Sequence, residues 1–135
     1  MQKFLVQHSP VRIPATGEKV IEEHFGLATS GTETFSLAHM VAPAFWSEPP
    51  QTPDFAELTI MIRGRMLIEA DGEKVVVNAG ESFWVQAGVR VQYANPFDEP
   101  SEYWAVCYPA FSLPAAHREA EDATSADGTA ASSGT

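Results

Sequence analysis

The sequence predicts an all-β protein, an antiparallel sandwich or barrel, and three observations carry that expectation. Short apolar runs alternate with period 2, most cleanly at Val89, Val91 and Tyr93 on one face with Arg90 and Gln92 on the other. Turn residues separate the runs: Gly64, Asp71-Gly72, Gly80 and Gly88. No stretch carries a helical pattern of any length.

The organising stretch is Glu57 to Gly64, an apolar and β-branched strand that opens on an acid and closes on a glycine. Glu57, Thr59 and Met61 share one face, and Leu58, Ile60 and Ile62 the other. Met66 to Ala70 and Glu73 to Val77 form a hairpin around Asp71-Gly72, a pair that tolerates the positive φ values of a type I′ turn. Strands over Ser82 to Gln86 and Val89 to Ala94 follow, then a loop over 95–100 and a closing strand from Glu102 to Tyr108. Upstream, residues 1–34 read as short edge strands broken by Pro10, Pro14 and Gly17. Phe35 to Ala42 is a strand with Phe35, Leu37, His39 and Val41 on one face. Ser36, Ala38, Met40 and Ala42 lie on the other. Residues 43–54 hold four prolines with Phe45 and Trp46, a stiff loop long enough to expect a functional role.

With 135 residues, 44% of them hydrophobic, the chain suits a single domain with one core. We place that domain at residues 1–114. Residues 115–135 contain no Phe, Tyr, Trp, Val, Ile or Leu, so ordering them would recover little apolar burial against roughly 1–2 kcal/mol of backbone entropy per residue. They are expected to form a disordered acidic tail. A formal charge of −10 with only 8 Lys and Arg argues against nucleic acid and anionic membrane surfaces as partners. The single cysteine, Cys107, reads as a small buried core residue. Without a long apolar run or a signal-peptide core, a cytoplasmic setting is expected.

The glycine frame resembles the cupin superfamily over roughly residues 33–111. Gly80, Gly88 and Asn95 stand where the second cupin motif has Gly, Gly and Asn, with Gln86 in place of proline and Val91 in place of histidine. Glu57 and Gly64 are in register with the first motif, while Gln51 and Pro53 occupy its two histidine positions. The resemblance implies a double-stranded β-helix, the cupin jelly-roll barrel, with a ligand cavity inside. It also implies assembly as a homodimer, and the aliphatic face of Leu58, Ile60 and Ile62 needs cover from the N-terminal strands or a second subunit. A weaker likeness, resting on the acid, the strand ending in glycine and Tyr108-Pro109, points to cupins of ethanolamine utilisation.

Cupins of this kind bind a divalent metal through three histidines and the glutamate. Valine and proline have no lone pair to donate, so that centre is absent here. A substitute site of His39, Gln51 and Glu57 would suit Zn, Mn, Fe or Ni, with no metal at all as the alternative. It requires His39 to face the barrel; otherwise His39 is a hydrogen-bonded core residue and Gln51 an ordinary loop residue. Glu57 and Tyr93 are the candidate catalytic residues, Glu57 as acid or base and Tyr93 as proton donor. Their structural alternatives are an ion pair of Glu57 with Arg63, Arg65 or Arg90, and a core-filling role for Tyr93. The expected function is binding of a small polar metabolite, with isomerase, epimerase or lyase chemistry. The alternative is a non-catalytic sensory or accessory barrel.

Overall fold

A computed structural model describes residues 3–15 and 17–120. Among the described residues, ten strands form two antiparallel sheets. The larger has the order β1 (Val11–Ile13), β2 (Val20–Phe25), β3 (Ser36–Ala42), β10 (Ser101–Tyr108), β5 (Ala56–Arg63) and β8 (Ser82–Val85). The smaller has the order β4 (Trp46–Ser47), β9 (Val91–Asn95), β6 (Arg65–Ala70) and β7 (Glu73–Asn78). The expected antiparallel β architecture is therefore what the chain adopts.

Two of the corners that carry the chain between the sheets depend on single residues. At the first, β5 ends in the large sheet at Arg63 and β6 begins in the small one at Arg65, leaving Gly64 alone to make the bend. Its φ is 75°, and a Cβ there would collide with the Pro100 carbonyl oxygen, so glycine is required twice over. At the second, Asn95 ends β9 with its side chain wholly buried. Its amide donates to the carbonyls of Pro43 at 3.0 Å and Glu99 at 2.8 Å, and its oxygen accepts from the Phe97 N–H at 3.2 Å. One side chain thus satisfies three loop backbone groups that would otherwise be buried without partners. The Asp71-Gly72 hairpin forms as expected, with φ values of 53° and 82°.

Between the sheets, Ala42, Met61, Met66, Ile68, Val77, Val91 and Tyr103 fill one end of the barrel. On the central strands the inward positions at the other end are small: Ser36 and Ala38 on β3, Ala105 and Cys107 on β10, paired across the register. Small residues opposite small residues leave unfilled space, and this is why the barrel has a cavity. Cys107 is buried, as expected of it.

Three expectations change. On β3 the face turned inward is Ser36, Ala38 and Met40, so Leu37, His39 and Val41 point outward. The N-terminal strands β1 and β2 extend the large sheet beside β3 instead of lying over β5 and β8, and Ile60, Ile62 and Trp84 stay exposed. Residues 115–120, assigned to the tail, fold onto the barrel. A single helical turn, α1 (Leu113–Ala116), capped by the Ser112 hydroxyl, buries Ala116 against Phe55 and Phe111. The Asp54 N–H donates to the Ala115 carbonyl at 2.8 Å and the Glu119 N–H to that of Pro50 at 2.8 Å. Backbone hydrogen bonds, one well-packed alanine and the side-chain bonds of His117 to Asp54, Arg118 to Gln51 and Glu119 to Arg90 hold a segment whose composition offered no apolar anchor. The remainder of the expected tail, 121–135, lies outside the described residues.

Candidate functional site

The cavity has a volume of about 180 Å³. An engineered pocket of roughly 150 Å³ accommodates benzene, so the space suits a ligand of roughly six to ten non-hydrogen atoms. Its floor is Ser36, Ala38, Ala105 and Cys107, and its walls are mostly apolar, with a few polar side chains set among Ile21, Met40, Trp46 and Phe111.

Glu57 enters from β5, beside Cys107 and Val85 in the register. Tyr93 comes from β9 on the opposite sheet and donates its hydroxyl to Glu57 Oε1 at 3.1 Å. Both side chains are buried. Burial pushes the Glu57 carboxyl up from the ordinary 4.5 to about 7, and the nearby Glu48 carboxylate adds to the rise. Lys19, the Tyr93 hydrogen bond and Arg118 pull the other way without cancelling it. The Tyr93 hydroxyl is pushed well above its usual value by burial and by the charge of Glu57, so it is a hydrogen-bond donor at neutral pH. Glu57 is thus a carboxyl that changes charge near neutrality while held by a phenol.

Four polar groups that sequence reasoning missed complete the site: Lys19, Glu48, Tyr103 and Arg118. Lys19 Nζ lies 4.3 Å from the centre of the Trp46 ring and 3.8 Å from Glu48 Oε1. Burial works against its charge, but the Tyr103 hydroxyl and the Glu48 carboxylate outweigh it and hold the ammonium above its ordinary value. Arg118, carried in by the segment after α1, donates to Gln51 Oε1 at 3.1 and 3.2 Å and stands 3.8 Å from Glu48 Oε1. Only Glu48 had a signal in the sequence, since it follows Trp46 by two and shares its face in extended chain.

Of the proposed metal ligands, Gln51 and Glu57 both line the cavity and His39 does not. His39 Nε2 is 2.7 Å from Glu102 Oε2 on the outer face, with its ring edge-on to Trp104. The physical reason lies in the strand alternation, which turns the small residues of β3 inward and the large ones out. Gln51 has its side-chain oxygen committed to the Arg118 guanidinium. Among the described residues no three His, Cys, Asp or Glu side chains gather to hold a metal ion. Where the family's ligand set would stand, this chain has Gln51, Pro53, Glu57 and Val91, with two cationic side chains close by. That donor set does not fit a divalent metal. Nor does Glu57 take the structural alternative of an arginine pair: Arg63 bonds Glu102, Arg90 bonds Glu119 and the Arg65 guanidinium lies over the Phe97 ring.

The family model described as "Cupin domain" matches residues 39–107, about half of the chain. The chain belongs to the cupin family. Its barrel is similar to that of an RmlC-like cupin from Shewanella frigidimarina, with a TM-score of 0.66 and 14% identity over 82% of this chain and 93% of that one. It also resembles a putative ethanolamine utilization protein Q from Salmonella typhimurium, with a TM-score of 0.55 and 16% identity over 69% and 71%. At such identities the likeness concerns the cupin fold. A curated relative, "Endoribonuclease YbeY" of Myxococcus xanthus, is 43% identical over 107 residues, 79% of this cupin, which spans 36% of that protein's length. No helix is long and apolar enough to cross a membrane among the described residues.

Proposed function

We propose that this cupin binds a small polar metabolite in the barrel and moves a proton on it through Glu57, as an isomerase, epimerase or lyase. The observation that carries the reading is the Tyr93 hydroxyl set 3.1 Å from a buried carboxyl that titrates near pH 7, in a cavity of metabolite size. A general base works best with a pKa near the working pH, and burial has brought Glu57 there. In its ionised form Glu57 takes a proton from a carbon beside a carbonyl or carboxyl group. The Tyr93 hydrogen bond fixes which carboxylate oxygen is free to do so. No step is routed through a metal, because the donor set does not suit one.

Proton exchange into deuterated water tests this. Candidate small hydroxy acids, trioses and tetroses are incubated with the protein, and loss of C–H signal is followed by NMR. At least one compound is expected to exchange, with Glu57→Gln slowing it about 10²–10⁴-fold. Binding without exchange would replace the enzyme by the non-catalytic sensory or accessory barrel, and neither binding nor exchange would remove both readings. The RNA cleavage named for the Myxococcus relative is not favoured for this chain. Its net charge of −10 and lack of basic clusters oppose a polyanionic substrate.

Pairing of two copies and a cytoplasmic setting belong to the same proposal. Ile60, Ile62 and Trp84 form an exposed apolar patch on the outer face of β5 and β8, which supports pairing through the large sheet. Light scattering at micromolar concentration is expected to give twice the chain mass, and a monomer mass would end the dimer proposal.

A further inference from the structure

Lys19 reaches the cavity by way of a sharp bend. In the connection between β1 and β2, Gly17 has φ 68° and Glu18 φ 63°, two left-handed residues in succession. Glutamate takes that conformation at a cost, so the bend persists only where its surroundings hold it. Here the support is Trp46: a Cβ added to Gly17 would come within 3.1 Å of the indole Cδ1. The face of the same indole carries the Lys19 ammonium, 4.3 Å from the ring centre. The lysine side chain that results lines the cavity and is only 7% exposed.

This ammonium is still able to donate. Glu48 Oε1, at 3.8 Å, lies within ion-pair range but beyond hydrogen-bond distance. The Tyr103 hydroxyl and the Trp46 face occupy two of the three N–H groups, and one remains for a ligand. Glu57 lines the same cavity from β5, and Lys19 and Glu57 each feel the charge of the other. A ligand that fills about 180 Å³ meets both.

We propose that Lys19 is a second catalytic residue beside Glu57, and that the substrate is a small uncharged aldehyde or ketone with its carbonyl oxygen on the Lys19 ammonium. This rests on the reading of Glu57 as the base and narrows the substrate to one class. The ionised Glu57 takes the proton from the carbon beside the carbonyl. The C–H electron pair then forms a carbon–carbon double bond, and the carbonyl π pair moves onto oxygen, where the Lys19 N–H stabilises the enolate. Return of a proton from Glu57 to carbon restores both residues. A carboxylate in the same place is disfavoured twice. Its charge would stand beside the ionised Glu57 in a mostly apolar cavity, where like charges repel strongly. Its enolate would also gather two negative charges on one group, whereas an aldehyde or ketone develops one.

Deuterium exchange followed by NMR on the full-length protein tests both parts. The probes are glyceraldehyde, dihydroxyacetone and erythrulose on one side, and lactate and glycerate on the other. At least one of the carbonyl compounds is expected to exchange tenfold or more faster than either hydroxy acid. With that compound, Lys19→Met should lower kcat about 10²-fold or more, and Lys19→Arg, which keeps the charge, should recover part of the loss. Hydroxy acids exchanging as fast as the carbonyl compounds, or an unchanged kcat in a folded Lys19→Met, would overturn this inference and leave the proposed function standing. Exchange of none of the probes would count against both. The comparison of probes uses the unaltered protein, so it decides the substrate class even where a variant fails to fold.

Discussion

Glu57→Gln is expected to raise the stability of this cupin at pH 8 by about 2–3 kcal/mol while removing its acid–base chemistry. The sign follows from the direction of the shift. Folding raises the Glu57 carboxyl from 4.5 to about 7, so the folded state keeps a proton that the unfolded chain has already released. The favourable contribution is fully present below pH 4.5 and is lost as the pH climbs through 7, above which a buried ionised carboxylate remains. Glutamine keeps the shape and can still accept from the Tyr93 hydroxyl, but it carries no charge to desolvate. Calorimetric melting from pH 4 to 9 should show the parent losing stability between about 4.5 and 7 relative to the variant. Parallel curves would mean that Glu57 is not desolvated as described.

Gly64→Ala should cost roughly 3 kcal/mol, lowering the melting temperature by on the order of 10 °C. Part of the loss is the left-handed backbone at φ 75°, and the rest is the collision of the new methyl group with the Pro100 carbonyl. Because the obstacle is backbone of the loop leading into β10, no side-chain movement relieves it. Chemical denaturation measures the loss directly. A change below about 1 kcal/mol would show that the corner can open, which the buried Ser101 hydroxyl bond to the Arg65 carbonyl argues against.

How much of this was readable from the chain depended on whether a residue's neighbours are local. The strands, the Asp71-Gly72 hairpin and the corner glycine follow from period-2 alternation and turn chemistry, which act over a few residues. The meeting of Glu57 with Tyr93 was legible through the cupin register, although 36 positions separate them. For His39 the general rule that the more hydrophobic face of a strand turns inward misleads. A barrel with a cavity reverses that rule where small residues must face the space, so Ser36 and Ala38 were the better guide. Arg118 could not have been found at all. It sits in an alanine-rich stretch, held by backbone bonding to Asp54 and Pro50 and by its own bonds to Gln51, partners distant in sequence to which composition is blind.

The cations have a bearing on how relatives should be compared. The segment that defines the family runs from residue 39 to residue 107, and both Lys19 and Arg118 fall outside it. Two chains could therefore agree throughout that segment and still offer opposite electrostatic environments to whatever they enclose. Sorting such proteins by the flanks, where these two charges reside, would separate groups that the shared middle merges.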